Sequence, residues 1–189
     1  MPTGKAKFVS RAGEKLCAAL DAFGLNVSGR SCADFGCNVG GFTDCLLQRG
    51  ASRVYAVDTG YGELAWTLRK DHRVVVMERT NALYCPVPGK VDIVVIDVAW
   101  TSQAFAIPAA ARWLKHSGII VSLLKPHYEL AKKVGKTPHA PLSDTQAGDI
   151  CLEVCHGLSR QGLQVLAGMK SPLRGKGGNT EFLVLVAPS

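Results

Sequence analysis

No stretch of this chain approaches the roughly 18–20 consecutive apolar residues that cross a bilayer as a helix. The N-terminus, MPTGKAKFVSR, has no apolar core of the kind a secretory signal needs. No membrane association is expected, and the cytoplasm is the expected compartment. The seven cysteines (Cys17, Cys32, Cys37, Cys45, Cys85, Cys151, Cys155) contain no C-x-x-C pair, and their odd number argues against a disulfide framework. Most sit beside apolar residues and read as reduced, buried thiols. Cys151, Cys155 and His156 can share part of a helix face, but three groups without a fourth make a poor zinc site, so no metal is expected. Internal repeats and a second domain are also lacking. With 189 residues, 47% hydrophobic and 20% charged, the chain suits one globular domain over 1–189, opened by a basic segment at 1–9.

What is present in excess is positive charge. The formal net charge is +7, and it is clustered. Lys5, Lys7, Arg11 and Lys15 crowd the start, Lys132, Lys133, Lys136 and His139 share a mid-chain loop, and Arg174 and Lys176 share another. Such clusters suit a polyanion such as RNA, and equally a solvated basic surface.

The stretch around which the chain is organised is Asp34 to Leu47, DFGCNVGGFTDCLL. A short apolar segment, Ser31-Cys32-Ala33, precedes Gly36, Gly40 and Gly41, and an apolar-periodic segment follows. That order predicts strand, tight turn and helix. Glycine allows a sharp turn and close approach of a ligand, while free N–H groups of the next helix face whatever binds. The spacing G-x-x-x-G-G departs from the dinucleotide fingerprint G-x-G-x-x-G, whose second glycine makes room for a pyrophosphate. S-adenosylmethionine (SAM), which has no phosphate, needs only the broader loop. Arg53 to Asp58 is then an apolar strand ending in a carboxylate 22 positions after Gly36, where α/β nucleotide-binding folds hold ribose hydroxyls.

The remaining segments follow the same alternation. Ser10 is expected to cap a helix running to about Phe23, with Leu16, Ala19, Leu20 and Phe23 as its apolar face and Lys15 off the stripe. Gly62–Lys70 reads as a helix and Arg73–Met77 as a strand. Val91–Asp97 is a nearly continuous apolar run, the pattern of a strand buried on both faces, and it too ends in aspartate. Ser102–Leu114 reads as a helix, Gly118–Leu124 as a strand closed by Lys125-Pro126, and 126–142 as a loop. Ser143 should cap a helix through Ser159, with Ile150, Leu152, Val154 and Leu158 apolar. Leu163–Met169 and Glu181–Val186 are closing strands around SPLRGKGGN. The sum is an α/β fold: a doubly wound, mostly parallel seven-stranded sheet with one antiparallel strand. Carboxylates at strand ends belong to a site at the carboxyl edge.

DFGCNVGGFTDCLLQRGASRVYAVDTGYGELAW, RTNA, VVIDVAW, LLKPHYE and GGNTEFLVL together resemble the TlyA (hemolysin A-like) branch of the FtsJ-type ribosomal RNA 2′-O-methyltransferases. The resemblance runs from about Phe8 to the end. It implies a Rossmann-like SAM-dependent enzyme with a catalytic Lys-Asp-Lys-Glu set on Lys15, Asp97, Lys125 and Glu181. It also implies SAM-binding positions at Gly36, Gly40, Phe42, Asp58, Asn81 and Asp97, and Asp34 and Gly41 of the glycine-rich stretch are further cofactor-binding candidates. An N-terminal S4-type RNA-binding domain usual in the family would end where this chain begins, so a separate RNA-binding partner is a natural expectation. Cys37-Asn38-Val39 stands where relatives tend to have small residues, and Ala12 where they have glycine.

A ribose 2′-hydroxyl is a very weak acid, so methyl transfer to it requires alignment and activation of that hydroxyl. Lys125 is the expected activator, Asp97 and Glu181 orient the lysines, and Lys15 tunes Lys125 or holds a phosphate. Asn81 is a candidate for the adenine edge or a turn residue. Tyr61, Trp66, Trp100 and Tyr128 are candidates for stacking on adenine or an unpaired base, with Trp66 equally a core residue. The competing readings are a catalytically inactive RNA- or ribosome-binding protein, an NAD-dependent oxidoreductase and a hemolysin.

Overall fold

The computed structural model describes residues 7–136 and 140–189, so Lys5 and His139 of the basic clusters lie outside the described residues. Seven strands form one sheet: β1 (Ser31–Phe35), β2 (Arg53–Val57), β3 (Val74–Met77), β4 (Val91–Ile96), β5 (Leu114–Leu124), β6 (Leu163–Lys170) and β7 (Phe182–Pro188). Their order is β3-β2-β1-β4-β5-β7-β6. The pairs among β1 to β5 are parallel, and β7 runs antiparallel to both β5 and β6. The expected single antiparallel strand is therefore β7.

Among the described residues six α-helices flank the sheet: α1 (Ala12–Ala22), α2 (Gly41–Gln48), α3 (Trp66–Arg69), α4 (Gln103–Ala111), α5 (Pro126–Val134) and α6 (Asp144–Ser159). On one face Leu16, Leu20, Phe42, Cys45 and Leu46 of α1 and α2 pack with Val54, Val95 and Leu123 of the strands. On the other, Ile107 and Leu158 join Phe35, Ile96, Ile120, Leu124 and Val184 around Trp113. The continuous Val/Ile run of β4 follows from burial on both faces. Among the described residues no helix is long and apolar enough to cross a membrane.

Several local expectations are corrected. Arg11, not Ser10, is the N-cap of α1, and its side chain makes no capping bond. Ser10 is committed elsewhere, lying so near Gly41 that a Cβ there would meet its Oγ at 2.2 Å. The helix expected over 62–70 is only Trp66–Arg69, because Gly62 takes a left-handed φ of 81° and donates its N–H to Glu78. Trp66 is 68% exposed and is not a core residue. Residues 126–134 are a helix rather than a loop: Pro126 occupies the first turn, where its missing N–H costs nothing, and Gly135 ends the helix at φ 71°. The helix expected to Leu114 stops at Ala111, and Leu114 already begins β5. Ser143 does cap α6, through a capping box with Gln146, but Leu152 is exposed while Ala147, Cys151 and Leu158 face inward.

Trp113 is fully buried and meets Phe35 and Tyr55 edge to face, with centroids 5.1 and 6.1 Å away. Replacing so large a ring opens a cavity that the surrounding strands cannot close. Trp113→Ala should cost about 3–5 kcal/mol in urea unfolding, and a loss below about 1 kcal/mol would contradict this packing.

Candidate active site

Parallel pairing brings the carboxyl ends of β1, β2 and β4 to one rim. Phe35 pairs with Val57 and with Ile96, so Gly36, Asp58 and Asp97 emerge side by side. The antiparallel pairing of β5 with β7 sets Leu124 against Phe182, which brings Lys125, just after β5, beside Glu181, just before β7. Lys125 and Glu181, 56 positions apart in the chain, thus share one edge because of strand register alone.

The three glycines of the β1–α2 turn serve close approach, chiefly of the protein to itself. A Cβ on Gly36 would lie 2.6 Å from the Asp97 carbonyl oxygen, one on Gly40 would meet Leu64 and Leu68, and one on Gly41 would meet Ser10 and Ala12. Gly36 and Gly40 also take φ of 81° and 101°, which side-chain-bearing residues rarely adopt. Phe42, expected at the cofactor, is 2% exposed; it borders the cleft while its ring packs in the core.

Asp34 is fully buried. Its Oδ2 accepts the Thr43 N–H at 2.9 Å and the Thr43 hydroxyl at 2.7 Å, while Oδ1 has no partner among the described residues. Burial pushes its carboxyl up to about 7, against the Thr43 bonds that favour the charged form. Asp58 accepts the Asn38 N–H at Oδ2 and the Gly60 N–H at Oδ1, at 2.8 and 2.7 Å, with lone pairs left for further donors. Asn81 uses its Oδ1 to accept the Leu83 N–H, as a turn residue does, and the residue borders the cleft.

Two adjoining cavities run along this rim. One of about 310 Å³ is bordered by Asp58, Asn81, Asp97 and Trp100; another of about 240 Å³ by Asp34, Gly41, Phe42 and Lys125. Gly36, Asn38, Asp97 and Ala99 border both, so the pair forms one elongated cleft.

The four expected catalytic residues fall into two ion pairs. Lys125 Nζ lies 2.5 Å from Asp97 Oδ1, without hydrogen-bond alignment. Lys15 Nζ donates to Glu181 Oε2 at 2.5 Å, and the Glu181 side chain is only 3% exposed. Lys15 leaves the apolar stripe of α1 in order to reach it. Beyond Lys125, Tyr128 lies under the ammonium at 5.9 Å and packs against Trp100, centroids 5.0 Å apart. Tyr61 and Trp66 are instead covered by Arg79 and Lys70.

Two supports escaped the sequence reading. Glu129 on α5 accepts the Ser102 hydroxyl at 2.7 Å and the Gln103 N–H at 2.8 Å, which ties the Lys125 helix to the start of α4. The segment 171–181 is fastened by Asp144, which receives Lys170, Arg174 and Thr180; these donors hold its carboxyl well down, at about 2. Gly175 lies against Glu181, where a Cβ would stand 2.0 Å from Oε1. The glycines of RGKGGN were the available signal, and they read only as a loop.

A sheet of this order with an antiparallel β7, and a carboxylate-lined cleft at the carboxyl edge, define a Rossmann-like methyltransferase. Residues 8–187 match the FtsJ-like methyltransferase family, and the chain belongs to it. It is 42% identical over 182 residues to the 16S/23S rRNA (cytidine-2′-O)-methyltransferase TlyA of Mycobacterium tuberculosis, covering 94% of this chain and 67% of that protein. It is 34% identical over 184 residues to Hemolysin A of Brachyspira hyodysenteriae, covering 94% and 75%. A Streptococcus thermophilus structure under a provisional hemolysin name superposes with a TM-score of 0.89 at 34% identity, over 99% of this chain and 69% of that one. The chain thus spans roughly two thirds to three quarters of these relatives' lengths.

Gly175→Ala should push the Glu181 carboxylate off Lys15 while leaving the fold intact, because the clash falls on the mobile end of a side chain. Methyl transfer should fall at least about tenfold with the unfolding free energy changed by less than about 1 kcal/mol. Wild-type turnover in a folded variant would remove the pair from the machinery.

Proposed function

We propose that this chain transfers the methyl group of SAM to a ribose 2′-hydroxyl of ribosomal RNA, with Lys15, Asp97, Lys125 and Glu181 as its catalytic set. The observation that carries this reading is the pairing of all four residues, one from α1 and three from just beyond the ends of β4, β5 and β7, into two ion pairs, of which Asp97–Lys125 borders the cleft. The cleft suits the cofactor. Asp34 has a buried oxygen in want of a donor, which an α-ammonium group would supply. Asp58 retains acceptor capacity for ribose hydroxyls, and the Asn81 amide NH₂ for an adenine edge. Gly36, Gly40 and Gly41 keep the turn free of side chains, and Phe42 contributes the core packing that holds it.

SAM supplies an electrophilic methyl group on a sulfonium. The protein's part is to bring a hydroxyl oxygen in line with it and to make that oxygen a better nucleophile. Lys125 activates the hydroxyl as a cation, its charge stabilising the negative charge that develops on oxygen while the hydroxyl proton passes to solvent water. Asp97 fixes the Lys125 ammonium. Lys15, fixed by Glu181, adds a second cation toward the backbone phosphate. Trp100 and Tyr128 offer an aromatic surface beside Lys125 for an unstacked base. The basic clusters around Lys7 and Arg11, Lys132 and Lys133, and Arg174 and Lys176 supply phosphate contacts.

Two measurements test this. Tritiated methyl from SAM should appear on ribose in ribosomal RNA or assembled subunits with the wild type and vanish with Lys125→Ala, while SAM still binds within about threefold. Label that persists in the variant would dismiss Lys125; label on a base would dismiss the ribose chemistry. SAM affinity should also depend on pH through Asp34. A cationic ligand favours the ionised carboxylate, so below about 7 binding must expel a proton, and affinity should rise with pH up to about 7 and then level off. Calorimetry on Asp34→Asn should give weaker binding and a flat profile over the same range; an unchanged slope would take Asp34 out of the cofactor site.

A further inference from the structure

Asp144 borders neither cavity of the cleft, yet its bonds run directly into the backbone that carries Glu181. It is the first residue of α6 after the Ser143 cap, so a capped helix of 16 residues fixes where its carboxylate stands. Thr180 donates its hydroxyl to Asp144 Oδ1, Arg174 Nη2 lies 3.3 Å from the same oxygen, and Lys170 Nζ donates to Oδ2 at 2.7 Å. Arg174 turns its other terminal nitrogen inward, Nη1 donating to Thr180 Oγ1 at 2.9 Å and to the Gly178 carbonyl at 3.0 Å. Asp144, Arg174 and Thr180 thus form a closed ring in which each side chain is bonded to the other two. Glu181 is held by the same unit. Its carbonyl accepts the Ser171 N–H at 2.8 Å, the residue before it is the 2% exposed Thr180, and its carboxylate lies against Gly175, the neighbour of Arg174.

The segment needs such a ring. Gly177 and Gly178 take φ of 71° and 80°, and glycine loses more conformational freedom on ordering than any other residue. Asp144 is half exposed, and an isolated ion pair at such a place contributes little to stability. Its effect is local: it opposes the freedom of the glycines one residue before the carboxylate that meets Lys15. We infer that Asp144 is a positioning residue of the methyl-transfer site, holding Glu181 on Lys15 through Thr180 and Arg174. The inference rests on the catalytic set proposed above.

Two measurements test it, one of them independent of the chemistry. Hydrogen exchange on the folded chain, without RNA or SAM, reads the ring through the amides of Ser171, Gly175 and Gly178, which donate to the carbonyls of Glu181, Asn179 and Gly175. Asp144→Ala should speed exchange at these three at least about tenfold while the amides of β4 and β5 keep wild-type protection. Turnover in methyl transfer to ribosomal RNA should fall about tenfold in Asp144→Ala and in Thr180→Val, with SAM affinity changed less than about twofold, and Thr180→Ser, which keeps the hydroxyl, should recover most of that loss. Lys15→Gln breaks the pair by another route, so adding Asp144→Ala to it should lower the residual transfer no further; a purely structural role would multiply the two losses. Multiplied losses, unaltered exchange in Asp144→Ala, or wild-type turnover once the segment has loosened would each overturn the inference. Wild-type turnover in Lys15→Gln, with the three amides loosened in Asp144→Ala, would locate the failure in the proposed catalytic set and would remove the role of Asp144 with it.

Discussion

The antiparallel entry of β7 between β5 and β6 is the constraint on which the site depends. A wholly parallel sheet would deliver only carboxyl ends to the upper rim, and Glu181 would lie at the far end of its strand. Reversing β7 places its first residues at that rim, and pairing Leu124 with Phe182 sets a glutamate beside a lysine that follows β5. Slipping the register by one residue would turn Leu183 and Leu185 from one core cluster toward the other, so the same burial that stabilises the sheet fixes the position of the polar residues just beyond it.

Charge in the cleft is organised by unequal burial. Asp34 is sealed and leans toward the neutral form, Asp97 and Glu181 each face a lysine, and Asp58 is engaged by two backbone N–H groups. The chain's positive excess lies mostly elsewhere: of the lysines and arginines among the described residues, only Lys125 borders the two cavities.

The order of strands and helices was legible because buried parallel strands leave continuous apolar runs and their ends carry the polar residues. The aspartates at 58 and 97 were legible for the same reason, each closing an apolar run at its carboxyl end, and Asp34 because it stands beside the glycine turn. Lys15 and Glu181 were legible only through resemblance, since their partnership joins residues 166 apart and leaves no local pattern. Helix α5 was missed because its start lies in a proline and its short inward face rests on His127 and Ala131, too few positions for a period to show. The clamp at Asp144 was missed because it acts through side chains brought together by folding, and Gly175 because close approach has no signature other than glycine itself.

The glycine turn has a consequence for how this fold can vary. Gly36, Gly40 and Gly41 are held by their own neighbours, the Asp97 backbone, the Leu64–Leu68 pair and Ser10. Their replacement would fail even in a protein that never met a ligand, so their persistence in a lineage would be no guarantee of retained activity. The residues between them are constrained as well: Cys37 is packed in the core, Asn38 takes a φ of 46° and donates its N–H to Asp58, and Val39 accepts the Ala65 N–H. A homologue could therefore lose its chemistry with all three glycines untouched.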